Sequence, residues 1–163
     1  NITIFGLNNT FAKEVGRFLS DELEMFFADV MELLKFDFIN LVEAQNIVGK
    51  EYILKQERVK IKTLSSYENT IISCDFRSLN TPDNYANLHN GSVMIYLKLS
   101  NESLSEVNKT FKDSSDYDLF SDVTINYLES KADIVCDVSG LNVEDSAKKA
   151  VTSLMEYYKQ KGV

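Results

Sequence analysis

Chemistry on a phosphate or a carboxylate calls for glycine, whose bare backbone lets amides crowd the anion, and for arginine, which clamps it with two parallel hydrogen bonds. This chain has six Gly (Gly6, Gly16, Gly49, Gly91, Gly140, Gly162) and three Arg (Arg17, Arg58, Arg77). Anion handling is thinly supplied. His89 is the single histidine, so no site built on two imidazoles exists, and its place near a helix end suits a structural role. Cys74 and Cys136 each close an apolar run and read as small reduced core residues, with no neighbouring Cys or His at metal-ligand spacing. No metal is expected.

The elements that carry these residues follow from hydrophobic patterning. Residues 1–5 form an apolar strand ending at Gly6, and Val15, Phe18, Leu19 and Leu23 set a helical stripe. A second strand runs through Met25-Phe26-Phe27-Ala28, and Val30, Leu33 and Leu34 begin another helix. The stretch 50–62 mixes alternation at Val59-Lys60-Ile61-Lys62 with a helix-favouring Glu51–Arg58, and a helix is expected. Ile71-Ile72 reads as a buried strand, Pro82 as a helix start, and residues 92–97 as the strongest strand. Residues 101–130 promise one helical stretch near their end. A strand at 133–136, a turn at Gly140 and a helix capped by Asn142, with Val143, Ala147, Val151, Leu154 and Tyr158 on one face, complete the chain. The aromatic pairs Phe26-Phe27 and Tyr157-Tyr158 are expected in the core. Short apolar strands alternating with amphipathic helices imply an α/β fold: a mostly parallel sheet between two helical layers.

The 163 residues are 44% hydrophobic and 26% charged with a formal net charge of −8. One domain spanning 1–163 is expected, without a membrane span and without general attraction to nucleic acid or anionic membranes. A cytoplasmic location is expected. The chain opens at Asn1 rather than Met, which reads as part of a longer or processed protein.

Several pieces in order resemble the shikimate kinase family of P-loop kinases. They are Gly6 with Val15-Gly16-Arg17, Phe27-Ala28-Asp29, Gly49 followed by Glu57, Thr81-Pro82-Asp83-Asn84 before the strand at 92–97, and Ala132-Asp133-Ile134-Val135-Cys136-Asp137. The resemblance implies a three-layer α/β/α fold, ATP with magnesium as cofactors and shikimate as acceptor. Against the loop form G-x-x-x-x-G-K-[ST], the run Gly6-Leu7-Asn8-Asn9-Thr10-Phe11-Ala12-Lys13 puts Phe11 at the second glycine, Ala12 at the lysine and Lys13 at the hydroxyl residue. Lys13 is rotated about 100° from the lysine position, so it is expected to be a solvated surface residue. Glu14 adds negative charge nearby.

On the acceptor side the resemblance places Asp29 at the first and Met31 at the second Asp of the family's Asp-x-Asp. It places Leu54 at the Arg that pairs with the shikimate carboxylate, with Glu57 retained, and Asp75-Phe76-Arg77 at a triple glycine. Asp29 is expected to serve as a helix N-cap rather than a ligand, and Arg77 is equally suited to ion pairing or ligand binding. The region 101–130 stands at the family's arginine-bearing lid, yet 101–127 contains no Arg and no Pro. The expectation is a catalytically inactive shikimate kinase-like domain needing no cofactor. Its structural or regulatory role would work through a protein partner or neighbouring domain, and the resemblance links it to aromatic amino-acid biosynthesis. Two alternatives remain: a divergent kinase using Lys13 and Arg77, and a small-ligand module in the remodelled pocket.

Overall fold

The computed structural model describes residues 1–38, 40–112 and 125–162. Five strands, β1 (Ile2–Gly6), β2 (Phe26–Asp29), β3 (Thr70–Ser73), β4 (Val93–Lys98) and β5 (Ile134–Asp137), form one parallel sheet in the order β2-β3-β1-β4-β5. β1 is central, pairing Ile4 with Ser73 on one side and with Ile95 on the other. The helices are α1 (Asn9–Leu23), α2 (Val30–Asp37), α3 (Leu41–Val48), α4 (Lys50–Ser65), α5 (Pro82–His89), α6 (Asn101–Thr110), α7 (Ile125–Lys131) and α8 (Val143–Gln160), with a 3₁₀ turn at Phe76–Asn80.

Successive strand residues point to opposite faces, so each face has its own core. Ile2, Ile4, Ile71, Ile95 and Leu97 pack against Val15 and Leu19 of α1 and Ala147, Ala150 and Leu154 of α8. On the other face Phe5, Ile72, Met94 and Tyr96 pack against Val30, Ile61, Leu64, Leu88 and Leu128. The three-layer expectation holds. Cys74 and Cys136 are free and buried, one in each core, so the sheet lies between them. Gly16 lets α1 lie close to the sheet, for a Cβ there would stand 2.9 Å from Ile4 Cγ2 and 3.0 Å from Phe27 Cε1.

Two helices went unread in the sequence, α3 and α6. Both are short and α6 buries no residue fully, so neither offers a strong apolar stripe. Asn142 caps α8 through Asp145 N, as expected. Two aromatic expectations need correcting: Phe26 lies on the edge strand at 71% exposure and Tyr158 is also exposed, whereas Phe27 and Tyr157 pack against the core. His89 ends α5, stacks on Tyr85 and meets Asp133 Oδ1 at 3.3 Å. Part of the expected lid-like region, 113–124, lies outside the described residues. No helix among those described is long and apolar enough to cross a membrane.

Candidate functional site

The turn after β1 is only Leu7-Asn8, because α1 already begins at Asn9. Asn8 is buried and caps that helix: its Oδ1 accepts from Phe11 N at 2.8 Å and its carbonyl accepts from Ala12 N at 3.0 Å. These amides therefore have partners within the chain. Asn8 Nδ2 donates to Asn108 Oδ1 and to the Phe111 carbonyl, both at 2.9 Å, and Thr10 Oγ1 donates to the Lys112 carbonyl at 3.0 Å. The Phe111 ring stands edge-on to Phe11 at 5.4 Å between centroids, and Phe11 itself is buried in the core beneath. The end of α6 is thus fastened across the start of α1. Gly6 has Leu97 O and Ala12 Cβ close beside it, and Ala12 is buried.

Lys13 corrects the solvated-surface expectation. Its side chain is only a quarter exposed and its ammonium lies 3.2 Å from Glu32 Oε1, with Glu14 at 4.0 Å, and Arg17 Nη2 meets the same Glu32 oxygen at 3.0 Å. Both cations are turned to the start of α2.

On the acceptor side, Asp29 caps α2 through Glu32 N at 2.9 Å and accepts from Ser73 Oγ at 2.5 Å. Burial raises its pKa, against the opposing pull of those hydrogen bonds. Met31 is buried and Leu54 packs against the same small core, with Leu34, Leu41 and Ile53. The two positions that the resemblance assigns to polar shikimate contacts therefore both join one apolar cluster between α2, α3 and α4. Asp75, buried two residues past β3, takes Arg77 in a fork: Nε to Oδ1 at 2.9 Å and Nη2 to Oδ2 at 2.7 Å. Asn9 Nδ2 donates to the same carboxylate at 2.8 Å and Asn9 Oδ1 accepts from Phe76 N. Arg77 is thus an ion-paired residue closing the 3₁₀ turn.

Glu57 is the most unusual group. It is 2% exposed on α4, accepts from Ser78 Oγ at 3.1 Å and Asn84 Nδ2 at 2.9 Å, and burial pushes its pKa up to about 8, aided by the nearby Asp75 charge. At neutral pH it is mostly protonated. Asn84 Oδ1 is buried with no hydrogen-bond partner among the described residues. Sequence reading missed Asn84 and Ser78 as its partners, and Asn108 and Phe111 as partners of the loop. A signal for Glu57 existed: it stands in the apolar helical row Ile53, Glu57, Ile61, Leu64.

A cavity of about 870 Å³ opens beside Phe11 and Phe111, walled by Val107, Leu141 and Val143, with Glu102 and Glu106 among its polar lining. Among the described residues no group of three His, Cys, Asp or Glu could hold a metal ion.

The family model described as shikimate kinase matches residues 13–155. Solved shikimate kinases share the fold: that of Acinetobacter baumannii in complex with shikimate at 15% identity and TM-score 0.77, covering 95% of this chain and 93% of the other. The enzyme of Aquifex aeolicus has 21% identity and TM-score 0.71, covering 94% and 95%, and that of Bacteroides thetaiotaomicron 17% and 0.71, covering 95% and 98%. No curated protein matches the sequence closely enough to serve as a relative. At these identities the solved structures speak for architecture alone, while the sequence match extends over most of the chain. By that match, this chain belongs to the shikimate kinase family.

Proposed function

We propose that this domain is a catalytically inactive member of its family, with a structural or regulatory role exerted through a protein partner or a neighbouring domain. The observation that carries the reading is the fastening at Asn8: the side chain and carbonyl that cap α1 occupy the Phe11 and Ala12 amides, and Asn108 and the Phe111 carbonyl lie across the same turn. A triphosphate with its magnesium does not fit these residues. Phe11 carries a side chain into the core where the family loop has bare backbone, Ala12 supplies no charge, and Lys13 is held by Glu32. On the acceptor side Met31 and Leu54 belong to one apolar cluster, and Arg77 is taken by Asp75. Loss of one transition-state donor commonly lowers kcat by about 10²–10³, and here several positions are changed together.

A coupled assay with ATP, magnesium and shikimate tests the proposal on the purified chain. No turnover above the blank is expected, and Lys13→Ala should leave that result unchanged. Turnover that disappears in Lys13→Ala would establish a divergent kinase instead.

The cavity beside Phe111 favours a second reading, a module for a small apolar ligand. Thermal unfolding at saturating ligand would then move upward, since binding to the folded state alone stabilises it.

A further inference from the structure

The outer groove between α4 and α5 breaks the charge pattern of the molecule. Five of the 17 Lys and Arg residues, Lys50, Lys55, Arg58, Lys60 and Lys62, lie on α4, although the chain as a whole carries −8. Lys60 is ion-paired with Asp37 on the side of α2. Lys55, Arg58 and Lys62 instead line a groove of about 430 Å³ with Val59, facing Asp83, Ala86 and Asn87 of α5. Spacings of three and four residues place the three cations on one helical face.

None of the three is ion-paired or hydrogen-bonded to another side chain among the described residues, and Asp83 across the groove forms no ion pair with them. Glu57, beside Arg58 in the chain, is buried, and that burial favours its neutral form. Val59, 48% exposed between the cations, adds an apolar contact. Several other cations do sit on carboxylates, Lys13 and Arg17 on Glu32, Lys98 on Glu129 and Lys148 on Glu144, while Lys131 lies over the Tyr85 ring.

We propose that the α4–α5 groove docks a short acidic peptide segment of a partner protein, with two or three carboxylates on Lys55, Arg58 and Lys62 and one apolar side chain on Val59. Length decides for a peptide over a nucleic acid. Seven residues of helix rise about 10 Å, the span of about three extended residues. A longer polyanion would run from this stripe onto a surface whose net charge repels it. The proposal does not depend on whether the domain has kinase activity.

The test uses the whole chain and a labelled, end-capped peptide Glu-Glu-Leu-Glu-Glu, with Lys-Lys-Leu-Lys-Lys as control, followed by fluorescence anisotropy. Binding of the acidic peptide alone is expected, weakening several-fold as salt rises from about 20 to about 300 mM. The triple variant Lys55→Gln, Arg58→Gln, Lys62→Gln should lose about tenfold or more in affinity. Lys109→Gln with Lys148→Gln, on exposed helix faces elsewhere, should lose little. Circular dichroism verifies the fold, and Val59→Ser in the otherwise intact chain gives a milder, salt-independent loss. Equal loss in both sets of lysine variants, undiminished binding in the triple variant, tighter binding of a short oligothymidine, or displacement by equimolar inorganic phosphate would each overturn the proposal.

Discussion

The Glu57 carboxyl is met by two neutral donors, Ser78 and Asn84, and the residue three positions before it, Leu54, carries no charge. A carboxyl whose pKa rises from 4.5 to about 8 on folding binds its proton more tightly in the native state. Its contribution is therefore fully present below about pH 4.5 and is lost as pH rises through about 8. Wild type should lose stability between pH 6 and 9, by on the order of a few kcal/mol, measured as urea midpoints. Glu57→Gln keeps the shape without the titration, so its midpoint should stay flatter and exceed that of wild type at the alkaline end. Parallel curves for the two proteins would show that Glu57 ionises without cost. Asp29, raised in the same direction, remains in both proteins and cancels in the comparison.

Among the elements, the junction of α1 with α6 rests largely on Asn8. Replacing it by Ala removes a helix cap, about 1 kcal/mol, and both bonds to α6 and its end, so Asn8→Ala should cost about 2–3 kcal/mol in denaturant unfolding. Amide exchange should quicken across 101–112, where α6 has no fully buried residue of its own. Unchanged exchange there would mean that packing of Phe111 on Phe11 suffices. The contact of α1 with the sheet turns on Gly16. Ala in a helix gains about 1 kcal/mol over Gly, but overpacking costs about 1–3 kcal/mol, and the 2.9 Å approach to Ile4 puts Gly16→Ala on the losing side. A lowered Tm is the expected readout.

For the molecule as a whole, the strands were legible because inner parallel strands are buried on both faces and so appear as unbroken apolar runs such as Ile71-Ile72 and residues 92–97. Helices α3 and α6 were not, since their stability comes from neighbours rather than from their own pattern. The site divides the same way. Phe11, Ala12, Met31 and Leu54 could be recognised as departures from a motif, and Asp29 as a cap. The Asn8–Asn108 bond joins residues 100 positions apart, and no local spacing announces it. Glu57 could be matched to the family, but its protonation depends on Ser78 and Asn84 arriving from other elements.

The central place of β1 also governs the order in which the molecule can be built. Its two flanking partners are β3, some seventy residues downstream, and β4, more than ninety, so the earliest strand of this domain to be synthesised must wait for both sides of its slot. Until Val93–Lys98 has emerged, Ile2–Phe5 keeps a hydrogen-bonding margin open, and that interval is when a nascent chain of this domain is most exposed to capture by a chaperone or by its own kind.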